Sequence, residues 1–128
     1  MAHATATIGR DHYRTEIMAG HHPLIADEGE KLGGADAGPA PYDYVLAGLG
    51  ACTAITLRMY ADRKEWPLES LTVDLRLSGD GPEAFRIDRT LTVDGLDEVQ
   101  KARLADIAER TPVTLTLKGG IAIETHLA

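Results

Sequence analysis

The sequence holds one cysteine, Cys52, and it is the only soft nucleophile in the chain. A lone thiol closes no intramolecular disulfide and builds no cysteine-rich zinc site. Its chemistry is therefore that of a nucleophile made reactive by a neighbouring cation, or none at all. Val45, Leu49, Cys52, Ile55 or Thr56, and Met59 recur at spacings of three and four, which puts Cys52 on an apolar stripe of a helix. A cysteine there also serves as a small hydrophobe, so the residues leave both readings open. Cys52 lies about three turns beyond the helix start, where the macrodipole no longer lowers a thiol pKa. Activation would need an arginine or another cation nearby. Arg58 falls off the Cys52 face of that helix. Arg14 and Arg89 are the candidates, and Arg89 shares strand parity with Phe85, Ile87, Leu91 and Val93. A guanidinium of inward parity needs a buried partner or a route to solvent.

The remaining chemistry-bearing residues are sparse. The histidines are His3, His12, His21, His22 and His126, with no HxH or HxxxH pair among them to chelate a metal. His21 and His22 are adjacent, so on an extended chain they face opposite ways. No serine stands in a strand-turn-helix elbow, and no glycine fingerprint joins a strand to a helix. No cofactor and no metal are expected. Asp27, Glu28 and Glu30 read as a solvated loop.

Thirteen Lys and Arg against 20 Asp and Glu give a net charge of −7 over 128 residues. That balance argues against binding nucleic acid through its phosphates. No basic amphipathic segment suits an anionic membrane, no apolar run reaches the roughly 20 residues of a membrane span, and residues 1–10 lack the pattern of a signal peptide. The expectation is a soluble, cytoplasmic chain folded as one domain over residues 1–128. Six aromatic residues leave the core to Leu, Ile, Val and Ala, a modest core that a dimer would enlarge.

The elements that must position Cys52 follow from pattern. Tyr13–Ala19 alternates weakly, Gly20 breaks it, and Leu24–Asp27 is the expected hairpin partner. Residues 29–41 hold four glycines and two prolines and form a loop. Pro41 opens a helix over about 42–64, with Asp43 in its first turn, which Asp62–Glu65 and Pro67 end. Gly48 and Gly50 thin that helix, each at a cost of about 1 kcal/mol, so a second helix should cross there, from this chain or a symmetry mate. Leu71–Leu77 and Phe85–Val93 are strands of clean alternation joined by a Gly79–Pro82 turn. A second helix over Asp97–Arg110, disrupted by Pro112, and a last strand at Ile121–Leu127 complete an α+β order with antiparallel sheets.

The stretch Pro41-Tyr42-Asp43-Tyr44-Val45-Leu46-Ala47-Gly48-Leu49-Gly50-Ala51-Cys52-Thr53-Ala54 resembles the peroxidatic-helix motif of the OsmC/Ohr family, the osmotically inducible and organic hydroperoxide resistance proteins. Ile55–Lys64, Trp66-Pro67-Leu68-Glu69, Gly33-Gly34, Gly38-Pro39 and Leu104–Val113 extend the resemblance over nearly the whole chain. It implies antiparallel sheets wrapped around two central helices in an intertwined homodimer. It also implies reduction of organic hydroperoxides by a cysteine pair without metal, haem or flavin, the disulfide being reset by an external thiol reductant. Cys52 matches the peroxidatic cysteine. The second cysteine of the family sits in a Cys-Pro-Val motif, and here the sequence reads Thr111-Pro112-Val113. A hydroxyl cannot resolve a sulfenic acid to a disulfide, though Thr111 could hydrogen-bond Cys52. The acid that in the family follows the helix-opening proline is replaced by Tyr42, with Asp43 one step later. Two readings result: a one-cysteine peroxidase working through Cys52, or a non-catalytic dimer of the same fold that binds a small apolar ligand or partner.

Overall fold

The computed structural model describes every residue from Met1 to Ala128. Five strands and three main helices follow one another: β1 (Ala4–Ile8), β2 (Thr15–Ala19), β3 (His22–Ala26), α1 (Pro41–Arg63), β4 (Ser70–Ser78), β5 (Arg86–Asp94), α2 (Glu98–Ala108) and α3 (Pro112–Gly119). The strands form two antiparallel sheets, β1-β2-β3 and β4-β5. The class is α+β, as the order of sequence patterns implies. Two compact units divide the chain, Met1–Val45 and Leu46–Ala128.

In the first unit, β2 pairs with β1 from Ala4↔Ala19 to Ile8↔Thr15 and with β3 from Thr15↔Ala26 to Ala19↔His22. Gly20 turns the β2-β3 hairpin at φ +61°, a conformation that glycine adopts without steric cost. The hairpin starts later than Tyr13 and its second strand two residues before Leu24. Strand β1 is absent from the sequence expectation because Ala4–Ile8 alternates alanine and threonine and every residue of it is exposed.

Asp27 organises the loop that follows. It is 2% exposed, not solvated as its acidic neighbourhood suggests. Its carboxylate accepts four backbone N–H bonds, from Tyr13 at 3.0 Å, Glu28 at 2.8 Å, Ala35 at 3.2 Å and Ala37 at 3.1 Å. These bonds, the one from Ala37 first, hold the Asp27 carboxyl below its ordinary pKa against the opposing cost of burial. The loop closes so tightly that a Cβ on Gly34 would collide with the Glu28 carbonyl oxygen.

The second unit is built on β4-β5, in register from Ser70↔Asp94 to Ser78↔Arg86. Alternate residues of β4 face inward, and the core joins Leu57 and Ala61 of α1 to Leu68, Val93, Leu104 and Ala108. Helix α2 starts at a capping box, in which Asp97 accepts from the Gln100 N–H and the Gln100 side chain accepts from the Asp97 N–H. Pro112 does not merely end α2. It opens a third helix, because proline's missing N–H costs nothing in a first turn. The expected strand at Ile121–Leu127 is not formed. Its alternation is real, but no strand pairs with it, and Ile121, Ile123 and Leu127 are exposed.

Helix α1 matches its expected span within a residue. Its buried positions, however, are Leu49, Thr53, Leu57 and Ala61, and three members of the expected stripe, Val45, Ile55 and Met59, lie exposed. Apolar residues run nearly around this helix, so periodicity alone does not choose the covered face. By length and composition α1 could cross a membrane, a test that core helices also pass. Within this chain no second helix crosses at the glycines: a Cβ on Gly48 would meet nothing within 4 Å, and one on Gly50 would meet the Leu75 side chain at 2.8 Å.

Candidate functional site

Cys52 is half-buried on α1, one residue from the buried face. Its Sγ lies 4.0 Å from Oγ1 of Thr56, one turn on. No arginine donates to it. Arg58 is committed elsewhere, to Asp62 at 3.2 Å and to the Leu68 carbonyl at 2.9 Å.

The neighbouring residue Thr53, fully buried, opens a polar network through the second unit. Its hydroxyl donates to the Leu49 carbonyl at 2.7 Å and accepts from Arg89 Nη1 at 3.0 Å. Arg89 Nη1 also donates to Thr114 Oγ1 at 2.8 Å, and Nη2 donates to the Ala108 carbonyl at 2.8 Å. Thr114 in turn donates to that carbonyl at 3.3 Å. The hydroxyl of Thr111 lies 2.6 Å from that of Thr114. Either hydroxyl of that pair can donate, since the single Thr114 proton can go to Thr111 or to Ala108. One guanidinium thus ties α1, the end of α2 and α3 to strand β5.

The arrangement fixes where each candidate stands. Thr111 is fully buried, and its hydroxyl goes to Thr114 and not to Cys52; for the same reason it makes no side-chain cap on α3. Arg89 has the inward parity that its strand position implies, and its partners are hydroxyls and a carbonyl. In the first unit, Asp43 accepts from the Ala40 N–H at 3.0 Å, at the start of α1. Arg14 pairs with Glu16 at 3.4 Å, both exposed. His21 and His22 sit at the β2-β3 turn, exposed, with ring centroids 4.1 Å apart. No three His, Cys, Asp or Glu side chains converge as metal ligands would. Sequence reasoning missed Thr53 and Thr114. The signal available was a threonine at the i+4 position from Leu49, on the same helix face.

Two antiparallel sheets with a long helix carrying one thiol define a recognisable class. The chain belongs to the OsmC-like protein family, whose model matches residues 33–126 and so includes Cys52 and Thr111. An OsmC-like protein of Mycoplasma pneumoniae superposes with a TM-score of 0.79 at 20% identity, over 93% of this chain and 88% of that one. An organic hydroperoxide resistance protein OsmC of Legionella pneumophila gives 0.68 at 24%, over 93% and 90%. An organic hydroperoxide resistance protein of Elizabethkingia anophelis, with thiocyanate bound, gives 0.71 at 20%, over 93% and 89%. At these identities the likeness establishes the fold. No curated protein matches the chain.

Proposed function

We propose that this protein is a thiol-dependent peroxidase that reduces organic hydroperoxides through Cys52 alone. The family match running through the Cys52 helix carries this reading, together with structural relatives named organic hydroperoxide resistance proteins. In the proposed cycle the Cys52 thiolate attacks one peroxide oxygen. The O–O bond breaks, an S–O bond forms, and the alkoxide leaves to be protonated to the alcohol. Cys52, oxidised by two electrons, is then a sulfenic acid. An external thiol attacks its sulfur and releases water, and a second thiol frees Cys52 and leaves with the reductant as a disulfide. Thr111 takes no part in electron transfer, since oxygen at that place forms no S–S bond. Arg89 spends three of its hydrogens on Thr53, Thr114 and Ala108 and none on the Cys52 sulfur.

The working unit is proposed to be a cytoplasmic homodimer in which each chain acts as one domain. Exposed Ile55 and Met59 beside the open space at Gly48 support this, as do the uncovered Ile121 and Ile123. A second reading, a non-catalytic dimer that binds a small apolar ligand, is favoured by one observation: no cation hydrogen-bonds the Cys52 sulfur.

Intact mass after brief exposure to stoichiometric cumene hydroperoxide, with a sulfenic-acid trap present, separates the two. The expected result is complete trapping at Cys52, with peroxide consumption lost in Cys52→Ser. An unmodified native mass, with Cys52 labelled only after unfolding, would instead select the non-catalytic reading.

A further inference from the structure

Arg89 is a half-buried cation that enters none of the chain's ion pairs. Its three bonds go to neutral oxygens. A guanidinium has five N–H donors, so Nε and one hydrogen of Nη2 are left, the kind of donor pair with which arginine meets both oxygens of a carboxylate. The same residue lines a cavity of about 410 Å³ walled by Leu49, Phe85, Ile87 and Leu117, with Thr114 beside it. That volume falls in the roughly 300–1,000 Å³ range of small-ligand pockets, which are typically apolar with a few placed polar groups.

No carboxylate around the cavity forms an ion pair with Arg89, although Glu109 feels its charge after that of Lys118. Glu109 and Lys118 both line it, and they pair with each other at 2.7 Å. Asp88 also lines it and pairs with Arg86 at 2.7 Å. What remains is a cation with donors to spare in a cavity of mixed lining, with Leu49, Phe85, Ile87 and Leu117 as its apolar part. Cys52 is not among the lining residues.

We propose that this cavity is a binding site for a small amphipathic monocarboxylate, its head on Arg89 and its apolar tail against Leu49, Ile87 and Leu117. The site is separate from Cys52, and its occupancy does not depend on peroxidase activity. Arginine is suited to the head because its planar fork meets a planar carboxylate with two parallel bonds. A neutral head of the same length would leave those donors without a charged partner.

The test uses the full chain and sodium octanoate as probe, with 1-octanol as the neutral match, followed by methyl NMR. Octanoate is expected to saturate with shifts at Leu49, Ile87 and Leu117, and octanol to bind at least tenfold more weakly. Arg89→Gln should weaken octanoate at least tenfold while leaving octanol unchanged. Because Arg89 also ties four elements together, Leu117→Trp provides a second variant that fills the cavity from an exposed helix position and keeps the network. It should abolish octanoate binding with an unchanged circular dichroism spectrum. Equal binding of octanoate and octanol, shifts confined to Ile55 and Met59, unsaturable shifts, or full binding by Leu117→Trp would each overturn the proposal.

Discussion

Asp27 and Arg89 are opposite solutions to one problem, a charge wholly or partly withdrawn from water without an ion-pair partner. Asp27, in the first unit, is sealed and closed by four backbone N–H groups. Arg89, in the second, is met by two hydroxyls and one carbonyl and keeps donors that nothing in the chain uses. A carboxylate saturated by backbone dipoles has no capacity left, so its work is to hold a loop in shape. A guanidinium with spare donors beside a cavity holds its surroundings together and can still take a ligand. The difference separates an architectural charge from an available one.

Removing either charge breaks the comparison most directly. Asp27→Ala leaves four amides without their acceptor and should produce the largest fall in thermal midpoint, on the order of 10 °C by calorimetry. Arg89→Met leaves the Thr53 and Thr114 oxygens and the Ala108 carbonyl with fewer donors, and should cost about 2 kcal/mol in urea unfolding. The smallest effect comes from acid and sharpens the contrast. The backbone bonds, the one from Ala37 first, hold the folded Asp27 carboxyl below its ordinary pKa, so its contribution is present above the ordinary aspartate range and is lost as pH falls through its folded value. Exchange of the Ala35 and Ala37 amides should accelerate in that window, while amides around Arg89 should not respond in step.

How much of this was readable beforehand depends on whether local pattern and tertiary partner agree. Strands β4 and β5 were legible because each alternates cleanly and the other stands opposite to pair with it. The limits of α1 were legible because Pro41 and Pro67 bracket it. Its covered face was not, because apolar residues surround it and Thr53, not Cys52, lies on the buried side. Helix α3 was hidden by reading Pro112 only as a stop. Arg89 was singled out by strand parity, a signal that survives without knowing its partners. Its partners could not be named, since a threonine in a helix looks neutral until a donor is placed beside it. Asp27 was illegible for the converse reason: nothing in a run of acidic loop residues marks the one around which backbone amides converge.

The segment Ile121–Leu127 has a consequence for the life of the chain in a cell. It alternates apolar side chains, lacks proline and carries a single charged residue, Glu124, while Ile121, Ile123 and Leu127 stand in solvent. Such a stretch recruits other extended chains by completing their hydrogen-bond ladders. To chaperones and proteases it presents the features of an unfinished protein. The unassembled chain is therefore expected to be cleared faster than one whose segment has found cover, a difference that a pulse-chase would read. Because Ile121 and Ile123 belong to the proposed dimer surface, a lysine at Ile123 should guard the unassembled chain against such pairing and at the same time weaken the dimer, which size-exclusion chromatography would read.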